Sequence, residues 1–262
     1  MLNLISLKSL DIYKWPSLTS ISGAVQYLTS LEKLKMRDCN EFGSLNNMDA
    51  DGIEWRHLNF LRYPKFDNLP KLESLPTGLY YLTALEQLEI HTCHNLKSLS
   101  DGISCLKSLR SLTIMGVGLT SLPDGMGCLN SLKVLIIRSL PNLTNFPEIS
   151  NLTSLQVLQI TDCPKLSSLP DGISCLRSLW WLNIKDLPNL MTFLEGITNL
   201  TSLQKLEIGT CPNLTSLPDP CLKSLKSLRF YKCPLLEEKY ERGIGEDWHK
   251  VAHMPDFSTG FL

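Results

Sequence analysis

Short runs of alternating apolar and polar residues recur along the chain at nearly constant spacing. In LQVLQI, Leu155 to Ile160, Leu158 and Ile160 share one face, while Gln159 and the following Thr161 take the other, the period-two mark of a short strand. The form L-x-x-L-x-(I/L/F/M) opens at Leu7, Leu31, Trp55, Leu85, Leu109, Leu132, Leu155, Leu179, Leu203 and Leu225, with spacings of 24, 24, 30, 24, 23, 23, 24, 24 and 22 residues. The near-identical strings DGISCLKSL, from Asp101, and DGISCLRSL, from Asp171, lie 70 residues apart, three whole units. One unit cannot bury its apolar face alone, but a stack can, with strands in parallel about 4.8 Å apart. Leu166, Leu169, Ile173 and Leu176 are predicted to fill the wedge behind one such strand, and Pro170-Asp171-Gly172 to turn the chain on the far side. The predicted fold is an α/β solenoid: a curved stack of about ten repeats with a parallel β-sheet on its concave face and a mostly irregular or short-helical convex side. It is expected to occupy residues 1–232, with a longer unit around 55–84 and a capping tail at 233–262.

Composition narrows the function classes. Leucine fills about a fifth of the 262 residues, yet no apolar run approaches the roughly 20 residues that a bilayer span needs. A formal net charge of -1 gives no field to draw nucleic acid or a membrane surface, and neither is expected as a partner. The opening MLNLISLKSL has no basic leader, unbroken apolar core or small-residue cleavage site, so no secretory signal is expected.

The nine cysteines follow the repeat. Cys39, Cys93, Cys163, Cys211 and Cys233 fall three residues after the second inward strand position, and Cys105, Cys128, Cys175 and Cys221 fall just before a buried leucine. An odd count in a long, core-rich chain speaks for reduced thiols and against a disulfide framework. In His91-Thr92-Cys93-His94 the cysteine takes an inward register while His91 should lie on the exposed strand face, so the set does not converge on one metal ion. His249 and His253 lack the glutamate of a zinc-protease motif, and no Gly-x-Ser-x-Gly nucleophile setting is present. The Asn-Leu-Thr triplets at Asn142, Asn151, Asn199 and Asn213 follow from the repeat consensus. No metal, cofactor or catalytic group is expected.

The exposed strand positions remain. Lys33, Lys35 and Arg37, followed by Arg56, His57, Asn59 and Arg62, predict a basic arc in the early units. Glu86, Glu89 and His91, then Gln156, Gln159 and Asp162, change the sign along the stack. Val134, Val157 and Trp181 share one outward position in three successive units, with Ile136 and Met115 beside them, and predict an apolar lane within about 10 Å, two strand spacings.

Units of the form LxxLxIxxCxxLxxLPxGIxxL resemble the leucine-rich repeats in the C-terminal part of plant intracellular nucleotide-binding leucine-rich-repeat receptors of the coiled-coil type. CPLLEEKYERGIGEDWHKVAHMPDF, from Cys233 to Phe257, is similar to the tail that closes that domain, with Tyr240 standing where many relatives carry cysteine. The resemblance includes DGIEWRHLNFLRYPKFDNLPKLESLP, from Asp51 to Pro76, and so extends over nearly the whole chain. It implies a non-catalytic recognition and autoinhibitory module, cytoplasmic, whose protein partner is a pathogen effector, a guarded host protein or the nucleotide-binding domain of the same receptor. It also implies that the basic arc could dock an acidic surface of that domain. The phosphate loop G-x-x-x-x-G-K-[ST] of the family's switch does not occur in these residues. Because the chain opens directly in a repeat, at Leu4 or Leu7, it reads as a detached or truncated receptor segment whose first unit frays or self-associates. The alternative is the substrate-binding repeats of a ubiquitin-ligase receptor.

Overall fold

The computed structural model describes residues 4–43, 53–75, 77–193, 199–217 and 219–260. Eleven strands form one unclosed, curved sheet in strict chain order, every neighbouring pair parallel. They are β1 (Ser9–Tyr13), β2 (Lys33–Arg37), β3 (Tyr63–Asp67), β4 (Gln87–His91), β5 (Ser111–Met115), β6 (Val134–Arg138), β7 (Val157–Thr161), β8 (Trp181–Lys185), β9 (Lys205–Gly209), β10 (Ser227–Tyr231) and β11 (Asp256–Thr259). Ten come from the repeats and the last from the tail. Inward positions such as Leu88 and Ile90, Leu112 and Ile114, or Leu158 and Ile160 are at most 1% exposed. The chain returns behind the sheet through 3-10 turns at Ile53–His57, Thr77–Tyr81, Asp101–Cys105, Asp124–Cys128 and Ile173–Cys175, and through short helices α1 (Ser22–Val25) and α2 (Asp219–Leu222). Each return buries apolar residues three apart, as Ile103, Leu106 and Leu109 do.

A left-handed residue ends every repeat strand. Lys14, Asp38, Asn68, Thr92, Gly116, Ser139, Asp162, Asp186, Thr210 and Lys232 have φ between 50° and 64°. The turn aims the N–H at the neighbouring unit: each of the first nine donates to the carbonyl of the last residue in the next strand, at 2.8–3.1 Å. The strain of a non-glycine residue in this region is offset by a backbone hydrogen bond repeated along the stack. One residue further on, Cys39, Cys93, Cys163, Cys211 and Cys233 are fully buried, and each thiol donates to the carbonyl two residues back, at 3.2–3.5 Å.

The third unit corrects the expected phase. Trp55 does not open a strand frame: it sits in a 3-10 turn, and Trp55, Leu58 and Leu61 form the buried trio of the return. The strand frame is Leu61, Pro64 and Phe66, with Pro64 beside Leu34 and Phe66 beside Met36. The 30-residue spacing therefore falls between Leu31 and Leu61, not in the unit around 55–84. Two causes misled the pattern. The return trio has the same three-residue step as the strand frame, and proline at an inward strand position argues against a strand. Phe60, which the earlier phase needs inside, is 58% exposed.

The tail folds onto the end of the stack as α3 (Pro234–Lys239), α4 (Trp248–Val251) and β11. Tyr240 is fully buried, its ring 5.9 Å edge-on from Phe230, and Phe257 lies between Phe230 (5.6 Å) and Trp248 (5.4 Å). Lys250 ties α4 to Asp219 of α2 at 2.8 Å.

Candidate functional site

Because the strands are in register, their outward residues align in three rows across the concave face. The first reads Ser9, Lys33, Tyr63, Gln87, Ser111, Val134, Val157, Trp181, Lys205, Ser227 and Asp256. The second, two residues along each strand, reads Asp11, Lys35, Lys65, Glu89, Thr113, Ile136, Gln159, Asn183, Glu207, Arg229 and Ser258. The third includes Arg37, His91, Met115, Arg138 and Lys185.

Charge is confined to the two ends of the first two rows, and there it is largely consumed by neighbours. Arg37 Nη2 reaches both carboxylate oxygens of Asp11 at 3.2 and 3.0 Å. Lys65 meets Glu89 at 3.0 Å, Arg62 meets Glu86 at 2.9 Å and Arg229 meets Asp256 at 2.9 Å. Glu207 holds both Lys185 (3.0 Å) and Lys205 (2.7 Å). Burial works against its charge, but the two ammonium groups outweigh it and hold the carboxyl below its ordinary range. Among the described residues Lys33 and Lys35 have no acidic partner; Lys33 lies 5.8 Å from the Tyr63 ring, and both border a hollow of about 430 Å³ with Tyr63, Lys65, Gln87 and Glu89.

The centre differs. From β5 to β8 the first two rows carry no charge: Ser111, Val134, Val157 and Trp181 run beside Thr113, Ile136, Gln159 and Asn183. All are half-buried in the concavity except Asn183, which is 8% exposed. The Asn183 Oδ1 and Trp181 Nε1 atoms are buried without a hydrogen-bond partner. Lys205 Nζ lies 4.6 Å over the Trp181 ring, and Trp180, 41% exposed, carries the apolar surface around to the flank, its ring 6.0 Å from that of Trp181. The tail is not the cover: α3 packs on β10 and α4 on α2, at the end of the stack.

The structure thus brings Val134, Val157 and Trp181 into one row, with Ile136 in the next and Met115 at the far end of β5. It places Lys33, Lys35 and Arg37 together on β2. Arg56 and His57 lie elsewhere, in the 3-10 turn behind the sheet, because the third unit is phased six residues later than its Trp55 frame; Asn59 precedes the strand and only Arg62 borders it. His91, expected in the open, has a side chain only 14% exposed, 3.6 Å from Glu89. Burial, then the Lys65 ammonium, holds it below the ordinary histidine value, with Glu89 pulling the other way. Sequence reading missed Asn183, Lys205 and Glu207, whose roles depend on cross-strand partners. Among the described residues no group of three or more His, Cys, Asp or Glu is placed to hold a metal ion, and no helix is long and apolar enough to cross a membrane.

Comparison with known proteins bears on this scaffold. Residues 2–121 match the family described as plant disease resistance protein RPS2-like, leucine-rich repeats. The chain is 28% identical over 176 residues to the disease resistance protein RPP4 of Arabidopsis thaliana, covering 62% of this chain and 15% of that protein. It is 62% identical over 24 residues to the putative disease resistance protein RGA1 of Solanum bulbocastanum, covering 9% of this chain and 2% of that protein. The chain therefore spans only a small part of the curated relatives it matches. In fold it is similar to the leucine-rich repeat domain of the type III effector XopL, with a TM-score of 0.57 and 24% identity over 80% of this chain and 71% of that one. A leucine-rich-repeat protein of Leptospira interrogans matches with a TM-score of 0.52 and 22% identity, over 99% of this chain and 73% of that one.

Proposed function

The chain being a leucine-rich-repeat domain of the plant disease-resistance class, we propose that it is a non-catalytic recognition and autoinhibitory module of an intracellular immune receptor, acting in the cytoplasm. Its partner is a protein: a pathogen effector, a guarded host protein or the nucleotide-binding domain of the same receptor. The observation that carries this reading is the uncharged centre of the first two rows of the concave face. Charges at both ends of the arc are mostly satisfied within the domain, whereas the lane from Val134 through Val157 to Trp181 leaves apolar surface and two orphaned polar atoms without a partner. A partner that fills the lane removes apolar surface from water and supplies groups to Trp181 Nε1 and Asn183 Oδ1 once Lys205 swings aside.

Trp181 is the anchor in this reading, because a desolvated tryptophan near the centre of an interface commonly contributes about 2 kcal/mol or more on truncation. Titration calorimetry against the nucleotide-binding domain of the parent receptor, or a cognate effector, is the test. Trp181→Ala is expected to weaken binding at least tenfold with little change in melting temperature, while Lys226→Ala, an exposed charge, leaves it unchanged. Equal binding by wild type and Trp181→Ala removes the lane from the account and leaves Lys33, Lys35 and Arg37 as the better anchor.

A further inference from the structure

The tail presents a second surface at the end of the stack. Leu235, Glu238 and Lys239 of α3, with Glu241, Ile244 and Glu246 of the following turn, line a groove of about 450 Å³. Ile244 is 78% exposed and Leu235 42% exposed. The turn that carries Ile244 is fastened at several points. The N–H groups of Ile244 and Gly245 donate to the Glu241 carbonyl at 3.2 and 2.8 Å, and that of Asp247 donates to the Lys239 carbonyl at 3.0 Å. A Cβ at Gly245 would lie 2.4 Å from the Lys239 carbonyl oxygen, so this close approach requires glycine. Beneath the turn, Asp247 holds Lys239 (3.4 Å) and Lys250 (2.7 Å). This backbone holds the isoleucine out in water instead of letting it fold back.

The charge around the isoleucine is one-sided. Lys239, the groove's cation, is engaged by Glu246 at 3.3 Å and by Asp247. Among the described residues Glu238 and Glu241 have no cationic partner; Arg242 adjoins them in the chain but does not line the groove.

We propose that this groove docks a protein segment carrying lysine or arginine beside apolar side chains, as a contact separate from the concave face. The cations meet Glu238 and Glu241, and the apolar side chains cover Ile244 and Leu235. Like charge turns away acidic segments and anionic membrane surfaces.

Fluorescence anisotropy of the full chain with a labelled ten-residue peptide of alternating lysine and leucine tests it, with alternating glutamate–leucine and lysine–serine peptides as controls. The lysine–leucine peptide is expected to bind at least tenfold more tightly than either control. Ile244→Ser and Glu238→Lys/Glu241→Lys are each expected to weaken it fivefold or more at an unchanged melting temperature, and Trp181→Ala to leave it unchanged. Equal affinity for the three peptides, or lysine–leucine binding that neither tail variant weakens, overturns the proposal. So does self-association that Ile244→Ser dissolves in sedimentation, which makes a second copy the occupant.

Discussion

At the scale of single residues, the repeat sets side-chain chemistry that the residue types alone would not. Cys93 and Cys163 are pushed by burial from an ordinary 9.0 up to about 11. At pH 8 only about one in a thousand of either is thiolate in the folded state. Iodoacetamide at that pH is expected to label the exposed Cys105, Cys128 and Cys175 and to spare the buried five, which mass mapping of the native protein checks. The raised values also fix the pH dependence. Above pH 9 the unfolded thiols release protons that the folded ones keep, so stability is retained below pH 9 and falls between about 9 and 11. The loss is about 2–3 kcal/mol for each of the two, and urea melts at pH 8 and 10.5 read it. The strained turns offer a second handle. Thr92 is β-branched at φ 53°, and Thr92→Gly is expected to raise stability by about 0.5–1 kcal/mol in a denaturant titration, the relieved strain exceeding glycine's added chain entropy. The cysteine register was legible in the sequence because it follows the period. The left-handed turn was not, since Lys, Asp, Asn, Thr, Ser and Gly all occupy it and share no side-chain property that names it.

At the scale of the element, β3 is the one repeat strand with proline at an inward position. Its pairing with β4 begins at Lys65, one residue past the proline, which has no N–H to give. Pro64→Leu supplies the residue type that the equivalent position holds in the neighbouring strands, Leu34 and Leu88, and restores the donor. It is expected to raise the denaturation midpoint, by about 0.5–1.5 kcal/mol in stability. Cross-strand ion pairs belong to this scale as well. Asp11 and Arg37 stand 26 residues apart and Lys185 and Glu207 stand 22 apart, distances that become contacts only when units stack in register.

For the whole molecule, each unit touches only its neighbours, so stability should vary along the stack. Among the described residues β1 has one strand neighbour, Leu7 and Leu10 are only partly buried, and Leu4 and Ile5 are exposed. At the other end β10 is covered by β11, α3 and the Phe230–Phe257–Trp248 cluster. Amide exchange is expected to be fast in residues 4–30, slow from β5 to β8, and intermediate in β10; uniform protection from end to end would contradict this gradient. We propose the tail as the cap that sets this asymmetry. Its removal after residue 232 should bring β10 to the exchange rate of β1.

The sequence by itself determined the solenoid, the count of its repeat strands and the inward leucines. In a stack of near-identical units the local period is also the tertiary contact rule, so one unit read correctly gives the others that keep its length. It determined the row of Val134, Val157 and Trp181 for the same reason. Only the tertiary structure decided the phase of the third unit, where Trp55–Leu58 and Leu61–Pro64 compete with the same spacing and burial selects between them. Only there, too, does it emerge which charges are already paired, that Asn183 Oδ1 and Trp181 Nε1 are orphaned, and that the tail continues the sheet while holding Ile244 outward. These depend on which side chains meet across strands or through a closed turn, and a one-dimensional period carries no record of such meetings.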